Sequence, residues 1–552
     1  MSAGSNGRAT GGSATDLPVI VAGAGPVGLT TALGLTHYGV PVVLLEADSS
    51  LSTDTKAGTV LTRTLEVLDR YGVVDEVLKT ALRIDKVADI ERGTGQVIRE
   101  IRTEVLSGDT RFPFLVNIPQ HYLEPILARE LERRAPGCLH MEHELLGFEQ
   151  DEAGVTVTVR TPDGDRTFRG SHLLGCDGGR STVRRQLGVG VEGRTLTERY
   201  TLVDVKVDLD VADQRDYPYL AYFADPVEWM ILVRQPEFWR FLWPRKPEQA
   251  PYSDAQLADK VRSYIGDVSR LEVVGTNEFA VHVRAASTWR DRRVFLMGDA
   301  AHLLTPMWAL GLNTGVLDAS NLPWRLAWVR RGWADESLLD AYEEEQKPLA
   351  IHGSGEMAEA ARRFMAHEDD TLEAMSDREW ANAMTRSMLG MRLDVEGTGE
   401  WRLASAAAPG PVRPGDRVPD MPLWQLDGQT SLHRLTRDAF VALHFVDARR
   451  RPELPPDEPG LAHRAVSRWD APLDSGLRER ALFDPGARVQ ERLGVSEGTV
   501  VLLRPDEHVA GIASAEEGAD VAVGMYRRVV GTTPAHGADD ASMAAGGRAG
   551  RA

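Results

Sequence analysis

A short apolar strand that runs directly into three spaced glycines places the strongest constraint on how this chain folds. Residues 17–22 read Leu-Pro-Val-Ile-Val-Ala, and Gly23, Gly25 and Gly28 follow with the spacing G-x-G-x-x-G. A helix-compatible run and a second apolar strand come next, and that strand ends at Glu46. This strand–turn–helix–strand order predicts an α/β protein that contains a Rossmann-like unit.

Each glycine of the turn has a physical role in binding a dinucleotide. Gly23 permits the tight turn, Gly25 lets the backbone approach a pyrophosphate, and Gly28 lets the helix pack on the strand. The helix N-terminus offers free N–H groups to the phosphates, and Glu46 is placed to accept hydrogen bonds from ribose hydroxyls. A carboxylate there would repel a 2′-phosphate, which favours FAD or NAD over NADP. A purely structural turn is the alternative. The candidate contacts in this unit are Gly23, Gly25, Pro26, Val27, Gly28, Glu46 and Ala47.

The charge balance and the few cysteines exclude several classes of function. The 552 residues carry 63 basic and 82 acidic side chains, a net charge of −19, which argues against nucleic-acid and anionic-membrane partners. No apolar run reaches the about eighteen residues that a transmembrane helix needs. Cys138 and Cys176 cannot form a disulfide framework or a Cys-rich zinc site, and we expect no metal centre. Few thiols without bridges are typical of the reducing cytoplasm, where we expect the protein.

The pattern of apolar residues changes twice along the chain, and segments rich in small residues lie at its two ends. Residues 1–16 lack the basic start and apolar stretch of a secretory signal, and we expect a disordered leader there and a disordered tail over 533–552. Residues 17–193 alternate apolar strands with amphipathic helices, whereas 199–284 contain strand-like runs rich in β-branched and aromatic residues. The second stretch predicts a mostly antiparallel sheet.

Two further strands are followed by an acidic residue beside a glycine. Leu173-Leu-Gly-Cys leads into Asp177-Gly178 and a helix, and Arg293-Val-Phe-Leu-Met leads into Gly298-Asp299. Ligands of open α/β sheets lie outside the carboxyl ends of the strands. Either aspartate alone could be a structural cap, but three such motifs at these separations indicate one extended ligand site.

Together the three motifs resemble those of the class A flavoprotein monooxygenases, the para-hydroxybenzoate hydroxylase-like family of FAD aromatic hydroxylases. The resemblance covers residues 17–363 and extends more loosely to the rest. It implies bound FAD and a transient reductant, NAD(P)H, that has no domain of its own; the sequence does not decide between NADH and NADPH. The further positions that the resemblance places at FAD are Lys56, Arg63, Gln120, Leu145, Asp177, Gly298, Asp299, Pro306, Gly311, Leu312 and Asn313.

The resemblance also implies three domains. We expect a Rossmann-like FAD-binding domain, an inserted and mostly antiparallel substrate sheet, and a thioredoxin-like C-terminal domain of the polyketide and phenol hydroxylase branch. The C-terminal domain lacks the C-x-x-C pair that redox exchange requires, which indicates a structural or assembly role. The expected boundaries are 17–90, 119–195 and 285–400 for the FAD domain, 91–118 and 196–284 for the substrate sheet, and 410–532 for the C-terminal domain.

The chain departs from the family pattern at the loop expected beside the flavin. Relatives commonly read H-x-x-P-P-x-G-G-x-G-x-N, whereas this chain has Thr305 for the first proline and Trp308 and Ala309 for the two glycines. Unless Trp308 points away and only packs, it must change the shape of the pocket near the reactive flavin carbon. Because of this departure the type of oxygenation is left open. We expect hydroxylation of the substrate first and Baeyer–Villiger insertion of oxygen beside a ketone second. A flavin protein that shelters an intermediate without oxygenating it is the third.

Aromatic residues of the middle segment indicate a substrate wall, although ordinary sheet packing explains at least half of them. Our candidate substrate contacts are Trp229, Arg240, Phe241 and Trp308, with Arg240 chosen to meet an anionic or phenolic oxygen. We assign no catalytic side chain, because the flavin carries the chemistry and the loop of Pro306, Trp308 and Gly311 is expected beside it. His302 is interpreted as a structural hydrogen-bonding residue.

The sequence therefore predicts an FAD-dependent, NAD(P)H-consuming monooxygenase. The resemblance implies that one oxygen atom of O2 is inserted, through a flavin C4a-(hydro)peroxide, into a phenolic or polycyclic, polyketide-derived aromatic substrate. The expected partners are that small molecule and O2, without nucleic acid or membrane, and a homodimer is left open.

Overall fold

A computed structural model of the chain describes residues 17–53, 58–92, 95–209, 217–223, 225, 228–266, 268–366, 392–393, 411–450, 453–472, 476–517 and 520–531. The leader and the tail predicted over 1–16 and 533–552 lie outside these residues, and so does Lys56. In this part of the chain no helix has the length and apolar character needed to cross a membrane.

The strands of the described residues fall into five sheets. In chain order they are β1 (Val19–Ala22), β2 (Val42–Leu45), β3 (Thr59–Val60), β4 (Leu82–Ile84), β5 (Lys86–Ile90), β6 (Val97–Arg102), β7 (Leu115–Asn117), β8 (Leu139–His140), β9 (Glu144–Asp151), β10 (Gly154–Thr161), β11 (Gly164–Gly170), β12 (His172–Gly175), β13 (Val191–Val207), β14 (Leu220–Phe223), β15 (Met230–Arg234), β16 (Trp239–Arg245), β17 (Leu271–Ala286), β18 (Arg290–Asp291), β19 (Val294–Leu296), β20 (His302–Leu303), β21 (Pro422–Gln425), β22 (Gly428–Ser431), β23 (Phe440–Phe445), β24 (Leu461–Ser467), β25 (Ala481–Phe483), β26 (Thr499–Leu503) and β27 (Val509–Ser514).

The α-helices of the described residues connect and cover these sheets. They are α1 (Pro26–His37), α2 (Thr62–Arg70), α3 (Val74–Thr80), α4 (Gln120–Arg134), α5 (Thr182–Gln186), α6 (Asp254–Ile265), α7 (Leu310–Arg330), α8 (Asp340–Pro348), α9 (Glu356–Met365), α10 (Leu432–Thr436), α11 (Arg488–Leu493) and α12 (Val521–Val530).

The first sheet is the Rossmann-like sheet that the glycine motif predicts. Its strand order is β18-β19-β12-β1-β2-β8, with β1 parallel to both β2 and β12. Every residue of β1 is buried, as expected for a parallel strand that is covered on both faces. Helix α1 follows β1 directly and packs against α4 and α7. The predicted α/β class with a parallel sheet is therefore confirmed.

The second large sheet runs in the order β20-β17-β13-β16-β15-β14-β5-β6 and is mostly antiparallel, as predicted. It starts earlier than the domain boundary that we placed between residues 90 and 91, because β5 pairs with both β6 and β14. Its side chains alternate between two faces. Phe241 and Trp243 pack with α6 on one face, and Leu242 and Tyr222 belong to the cluster on the other. We call this second side the site face, because it faces the cavity described below.

A seven-stranded sheet in the order β22-β21-β25-β24-β23-β26-β27 forms the C-terminal unit. Aromatic contacts join this unit to α7: Trp324 meets Phe440 edge-on with ring centroids 5.4 Å apart, and the Trp328 indole N–H donates to the Tyr526 hydroxyl at 3.1 Å. These rings are buried in the same core as the Rossmann-like sheet. The C-terminal unit is therefore packed onto α7 and shares a core with the Rossmann-like sheet.

Candidate active site

A cavity of about 350 Å³ opens at the carboxyl ends of β1, β2 and β12. We call it the glycine-turn cavity, because Gly23 and Gly25 line it. Gly23 has a φ of +98°, and a Cβ added there would lie 2.5 Å from the carbonyl oxygen of Cys176. A Cβ on Gly28 would lie 1.9 Å from the carbonyl oxygen of Gly23, whereas one on Gly25 would meet nothing within 4 Å. The first and third glycines are thus required by the protein itself, and the second leaves room for a ligand.

The N-terminus of α1 faces this cavity without a side-chain cap. Gly25 is the N-cap residue, Pro26 is the first helical residue, and the N-cap position makes no side-chain hydrogen bond. Uncapped N–H groups at a helix N-terminus attract phosphate. Glu46, at the end of β2, accepts from the backbone N–H of Ala24 at 2.7 Å and of Asp48 at 3.0 Å. Its carboxylate is therefore held in place on the cavity wall, with Ala47 and Leu145 beside it.

Asp177 presents one partnered and one unpartnered oxygen at this cavity. Its Oδ2 accepts from the backbone N–H groups of Thr182 at 2.7 Å and Val183 at 3.0 Å. Its Oδ1 is buried and has no hydrogen-bond partner among the described residues. A buried acceptor of this kind in a cavity wall suits a hydroxyl of a bound ligand, because unsatisfied buried polar atoms are rare in folded proteins.

A second cavity, of about 480 Å³, continues from the first. We call it the main cavity. Both cavities are lined by Gly25, Gln120, Cys176 and Gly178. Gln120 is positioned by Glu124, whose Oε1 accepts from its side-chain amide at 2.6 Å. Together the cavities form one elongated groove that leads from the glycine turn to the site face of the large sheet, a shape that suits a dinucleotide.

The main cavity brings together most of the loop residues that the sequence predicted. Val27, Asp299, Pro306, Gly311 and Leu312 line it, and Asp299 is exposed to solvent. Gly298 lies behind this wall: its N–H donates at 2.8 Å to Oδ2 of Asp318, a residue of α7 that the sequence did not single out. His302 Nε2 lies 3.0 Å from the same oxygen. His302 is therefore a structural partner of Asp318.

Trp308 and Ala309 keep an unusual backbone. Their φ angles are 55° and 56°, in the left-handed region that favours glycine. Trp308 is 8% exposed and does not line the main cavity. It lines a neighbouring cavity of about 790 Å³, which we call the rear cavity, on the other side of Leu303 and Leu304. The indole thus points away from the main cavity, the alternative that the sequence left open.

Asn313 also points away from the main cavity. Its Oδ1 accepts from the backbone N–H of Leu61 at 2.9 Å and from the Thr64 hydroxyl at 2.6 Å. Its amide donates to the carbonyl oxygens of Thr59 at 3.1 Å and Ala309 at 2.6 Å. The side chain therefore ties the loop to the segment around β3, while the backbone of Gly311 and Leu312 lines the main cavity.

Arg63 lies outside the groove, in a buried ion network between α2 and the C-terminal unit. Its guanidinium donates to Glu66 at 3.0 Å, to Glu507 at 2.9 Å and to the carbonyl oxygen of Asp506 at 2.8 Å. Burial alone would raise the pKa of Glu66, but Arg417 and other cations hold it at about 2. We expected Arg63 beside the flavin. The structure places it on the same face of α2 as Glu66 and Arg70, because residues three, four or seven positions apart share one face of a helix. This face of α2 contacts the C-terminal unit.

The site face of the large sheet forms the opposite wall of the main cavity. Arg240 lines it, but Asp204 already pairs with this guanidinium through two hydrogen bonds of 2.8 and 2.9 Å. Phe241 is fully buried on the other face of the sheet. Trp229 packs on Tyr200, with ring centroids 5.1 Å apart, and is not part of the cavity wall. Of these three candidates, only Arg240 lies at the cavity.

Sequence reasoning missed two polar residues of this wall, Tyr222 and Gln235, and the buried carboxyl of Asp89 on the strand beside Tyr222. Tyr222 lines the main cavity, and burial raises the pKa of its phenol well above the usual value. Asp89 is its register partner on β5, and burial raises the pKa of that carboxyl to about 7 although Arg99 opposes the shift. Gln235 also lines the cavity. No local motif identifies them, since each depends on how distant strands pair.

The donor set suits an organic cofactor. Among the described residues no three His, Cys, Asp or Glu side chains lie together in a way that could hold a metal ion. The open space at Gly25, the uncapped helix N-terminus, the Glu46 carboxylate and the unpartnered Asp177 oxygen instead match the phosphates and hydroxyls of a dinucleotide. Lys56, also predicted at the cofactor, lies outside the described residues.

Comparison with known proteins agrees with this geometry. The family model described as FAD binding domain matches residues 16–352. A para-nitrophenol 4-monooxygenase of Pseudomonas sp. (strain WBC-3) is 31% identical over 376 residues, which cover 66% of this chain and 92% of that protein. A solved aklavinone-11 hydroxylase, in ternary complex with FAD and aklavinone, is 25% identical with a TM-score of 0.76, covering 94% of this chain and 99% of its own. A solved Diels–Alderase of pyrroindomycin biosynthesis, PyrE3, is 25% identical with a TM-score of 0.69, covering 92% and 98%.

Proposed function

The chain belongs to the FAD-binding family of flavoprotein aromatic hydroxylases, and we propose that it is an NAD(P)H-consuming monooxygenase acting on a phenolic or polycyclic aromatic substrate. The observation that carries the proposal is the continuity of the groove. The glycine-turn cavity, whose residues suit a dinucleotide, continues into the main cavity under the site face. A cofactor held along this groove would present its reactive end to a substrate in the main cavity.

FAD is the cofactor of this family, and the chain offers partners for several parts of it. The N-terminus of α1 would hold the pyrophosphate, Glu46 the adenosine ribose, and Asp177 a hydroxyl of the chain between phosphate and flavin. Pro306 and Gly311 would lie beside the flavin ring. Bound FAD would accept hydride from NAD(P)H and activate O2, which is chemistry that these side chains cannot supply.

The protein residues have the tasks of orienting the substrate and excluding water. Leu202, Leu220, Ile231 and Leu242 give the main cavity an apolar wall on the site face. An apolar wall favours a large aromatic substrate and keeps bulk water from the reacting centre. Arg240 is already neutralised by Asp204, so this wall offers a paired rather than an isolated positive charge.

We propose hydroxylation of a fused-ring, polyketide-type substrate as the specific reaction. The similarity to the aklavinone-11 hydroxylase, which extends over nearly the whole of both chains, supports this substrate class. Baeyer–Villiger insertion beside a ketone is the alternative, because the chain departs from the family pattern at Thr305, Trp308 and Ala309.

A second candidate function is a flavin protein that binds a reactive intermediate without oxygenating it. The similarity to a Diels–Alderase favours this candidate. The loop backbone does not favour it, since Ala309, which lines the main cavity, keeps the left-handed conformation that a glycine would adopt.

For the C-terminal unit we propose a thioredoxin-like scaffold with a structural role. The strand pattern supports it: β23 is parallel to β24 and antiparallel to β26, β26 pairs with β27, and α12 follows and packs on that hairpin. Both cysteines of the chain lie outside this unit, so it cannot exchange a disulfide. Its buried ion network with α2 is consistent with a part that supports the cofactor domain.

The decisive experiment is turnover by the purified yellow holoprotein. We expect phenols or hydroxyanthraquinones to stimulate NAD(P)H oxidation and to yield a product that has gained one oxygen atom. Infrared or carbon-NMR spectra then distinguish a new hydroxyl from a new lactone, which product mass cannot do. A holoprotein that stays oxidised in the presence of NAD(P)H with every such substrate would refute the monooxygenase proposal and leave the second candidate.

A further inference from the structure

Two residues that line the main cavity each carry a buried polar side-chain atom without a hydrogen-bond partner in the described part of the chain. Thr305 is 1% exposed, and its Oγ1 has no hydrogen-bond partner within the described part of the chain. Gln235 is fully buried, and its Oε1 likewise has no hydrogen-bond partner among the described residues. Both residues line the main cavity, Thr305 from the loop before Pro306 and Gln235 from the end of β15. The two atoms belong to segments 70 positions apart in the chain, which the fold brings to one chamber.

The chemistry of each atom is fixed. The Gln235 Nε2 donates to the carbonyl oxygen of Gly58 at 3.4 Å, which a carbonyl-type Oε1 in its place could not do. The free Oε1 can therefore only accept. The Thr305 hydroxyl can donate as well as accept, and it stands where the family pattern commonly has a proline, which has neither a hydroxyl nor an N–H. This chain has thus gained a donor at the wall.

We propose that Thr305 and Gln235 select a substrate that carries both a hydrogen-bond acceptor and a hydrogen-bond donor, namely a polycyclic aromatic with a ring carbonyl and a phenolic hydroxyl. Thr305 donates to the carbonyl, and Gln235 accepts from the hydroxyl. This inference rests on the proposed function, because it takes the main cavity to be the substrate chamber. It goes further by naming two specificity-determining residues and the groups that they recognise.

The energetics favour a ligand over an empty wall. A buried polar atom that loses its water partners without gaining new ones destabilises the protein, and most such atoms in folded proteins are paired. Two of them in residues that line one cavity would be tolerated when a ligand or ordered water completes their bonds. A site built to bond a hydroxyl discriminates strongly against an analogue that lacks it, because the analogue leaves the protein atom unpaired.

The experiment uses the FAD-loaded protein and two probes, anthraflavic acid, which is a dihydroxyanthraquinone, and anthraquinone, which lacks both hydroxyls. Binding is measured by the quenching of flavin fluorescence. We expect the wild type to prefer anthraflavic acid. Gln235→Met should reduce this preference by about fivefold to tenfold, since it removes the acceptor for the hydroxyl. Thr305→Val should weaken both probes by a similar factor, since both carry the ring carbonyl.

Control measurements separate this inference from its alternatives. Thr430→Val, a matched change at a buried position on β22, should leave both affinities unchanged. The inference is overturned if Gln235→Met keeps the full preference for anthraflavic acid, which is the result expected if only water bonds these atoms. It is also overturned if the two variants lose FAD, measured by flavin absorbance, because the two side chains would then serve the cofactor and not the substrate. A wild type that cannot be loaded with FAD would instead refute the proposed function.

Discussion

Replacing Asp89 by asparagine should make the stability of this protein less dependent on pH. Asp89 lies on β5, 3% exposed, and its Oδ2 has no hydrogen-bond partner in the described residues. The groups that face it are Arg99, whose Nε lies 3.7 Å from that oxygen, and Tyr222, its register partner on β14. Burial raises the pKa of the carboxyl from 3.8 to about 7, and Arg99 only partly offsets this rise.

A raised folded-state pKa means that the folded protein holds the proton more tightly than the unfolded chain does. The stabilising effect of that proton is complete below the unfolded-state pKa and is lost as the pH rises through about 7. Each pKa unit corresponds to about 1.4 kcal/mol, so about two units between pH 5 and the folded-state pKa give a loss of roughly 3 kcal/mol. An asparagine of similar size does not ionise. Relative to wild type, Asp89→Asn should therefore gain about 3 kcal/mol of unfolding free energy between pH 5 and pH 8.5.

Urea unfolding followed by tryptophan fluorescence at pH 5, 7 and 8.5 measures this gain. The control is Asp75→Asn, at an exposed position of α3, which should shift the midpoint by the same small amount at each pH. A difference between Asp89→Asn and wild type that is constant across the three pH values would refute the reasoning, because it would show that Asp89 ionises equally in the folded and unfolded states.

Three further predictions concern the cofactor, the loop and the ion network. Glu46→Ala should weaken FAD binding by roughly tenfold to a hundredfold in a flavin fluorescence titration, because hydrogen bonds to a charged carboxylate are lost; an unchanged Kd would contradict this. Ala309→Gly should raise the unfolding free energy by about 0.5–1 kcal/mol, because φ is 56°, whereas Ala319→Gly inside α7 should lower it by about 1 kcal/mol in the same thermal melts. Glu507→Gln should destabilise the protein by about 3–5 kcal/mol, because Arg63 and a second buried guanidinium lose a shared carboxylate. Limited proteolysis should then release the C-terminal unit first, and a wild-type cleavage pattern would argue against the network as its anchor.

The part of the fold that the sequence predicted well is the part encoded locally. The βαβ unit around the glycine turn can be read from the chain because strand, turn and helix follow one another within thirty residues, and each glycine has a steric reason. The mostly antiparallel sheet was also predictable from the alternation and aromatic content of its strands. The position at which that sheet starts was not. Strand β5 joins it by pairing with β14, more than a hundred residues away, and no local pattern reports such a pairing.

The site residues also differ in whether local sequence or distant contacts determine their position. Glu46 and Asp177 could be placed at the groove because each follows a parallel strand, and the ends of such strands meet at one edge. Arg63 could not be placed, because its partner Glu507 lies 444 positions away in the chain and its surroundings are set by how the C-terminal unit packs. Asp318 was missed for a related reason. It lies in the middle of α7, and from the sequence alone an isolated aspartate in a helix is interpreted as exposed to solvent, whereas its contact with Gly298 depends on the fold.

Trp308 and Ala309 occupy loop positions at which the family pattern commonly has glycine. Trp308 and Ala309 both retain positive φ, although a left-handed conformation costs about 1–2 kcal/mol for a residue with a Cβ. The chain thus preserves the backbone path of the loop instead of reshaping it. What changes is the side chain, and the Trp308 indole enters the rear cavity and leaves the main cavity to its neighbours. Two of the departures, Thr305 and Ala309, line the main cavity, and Thr305 is the one that adds a hydroxyl to this loop.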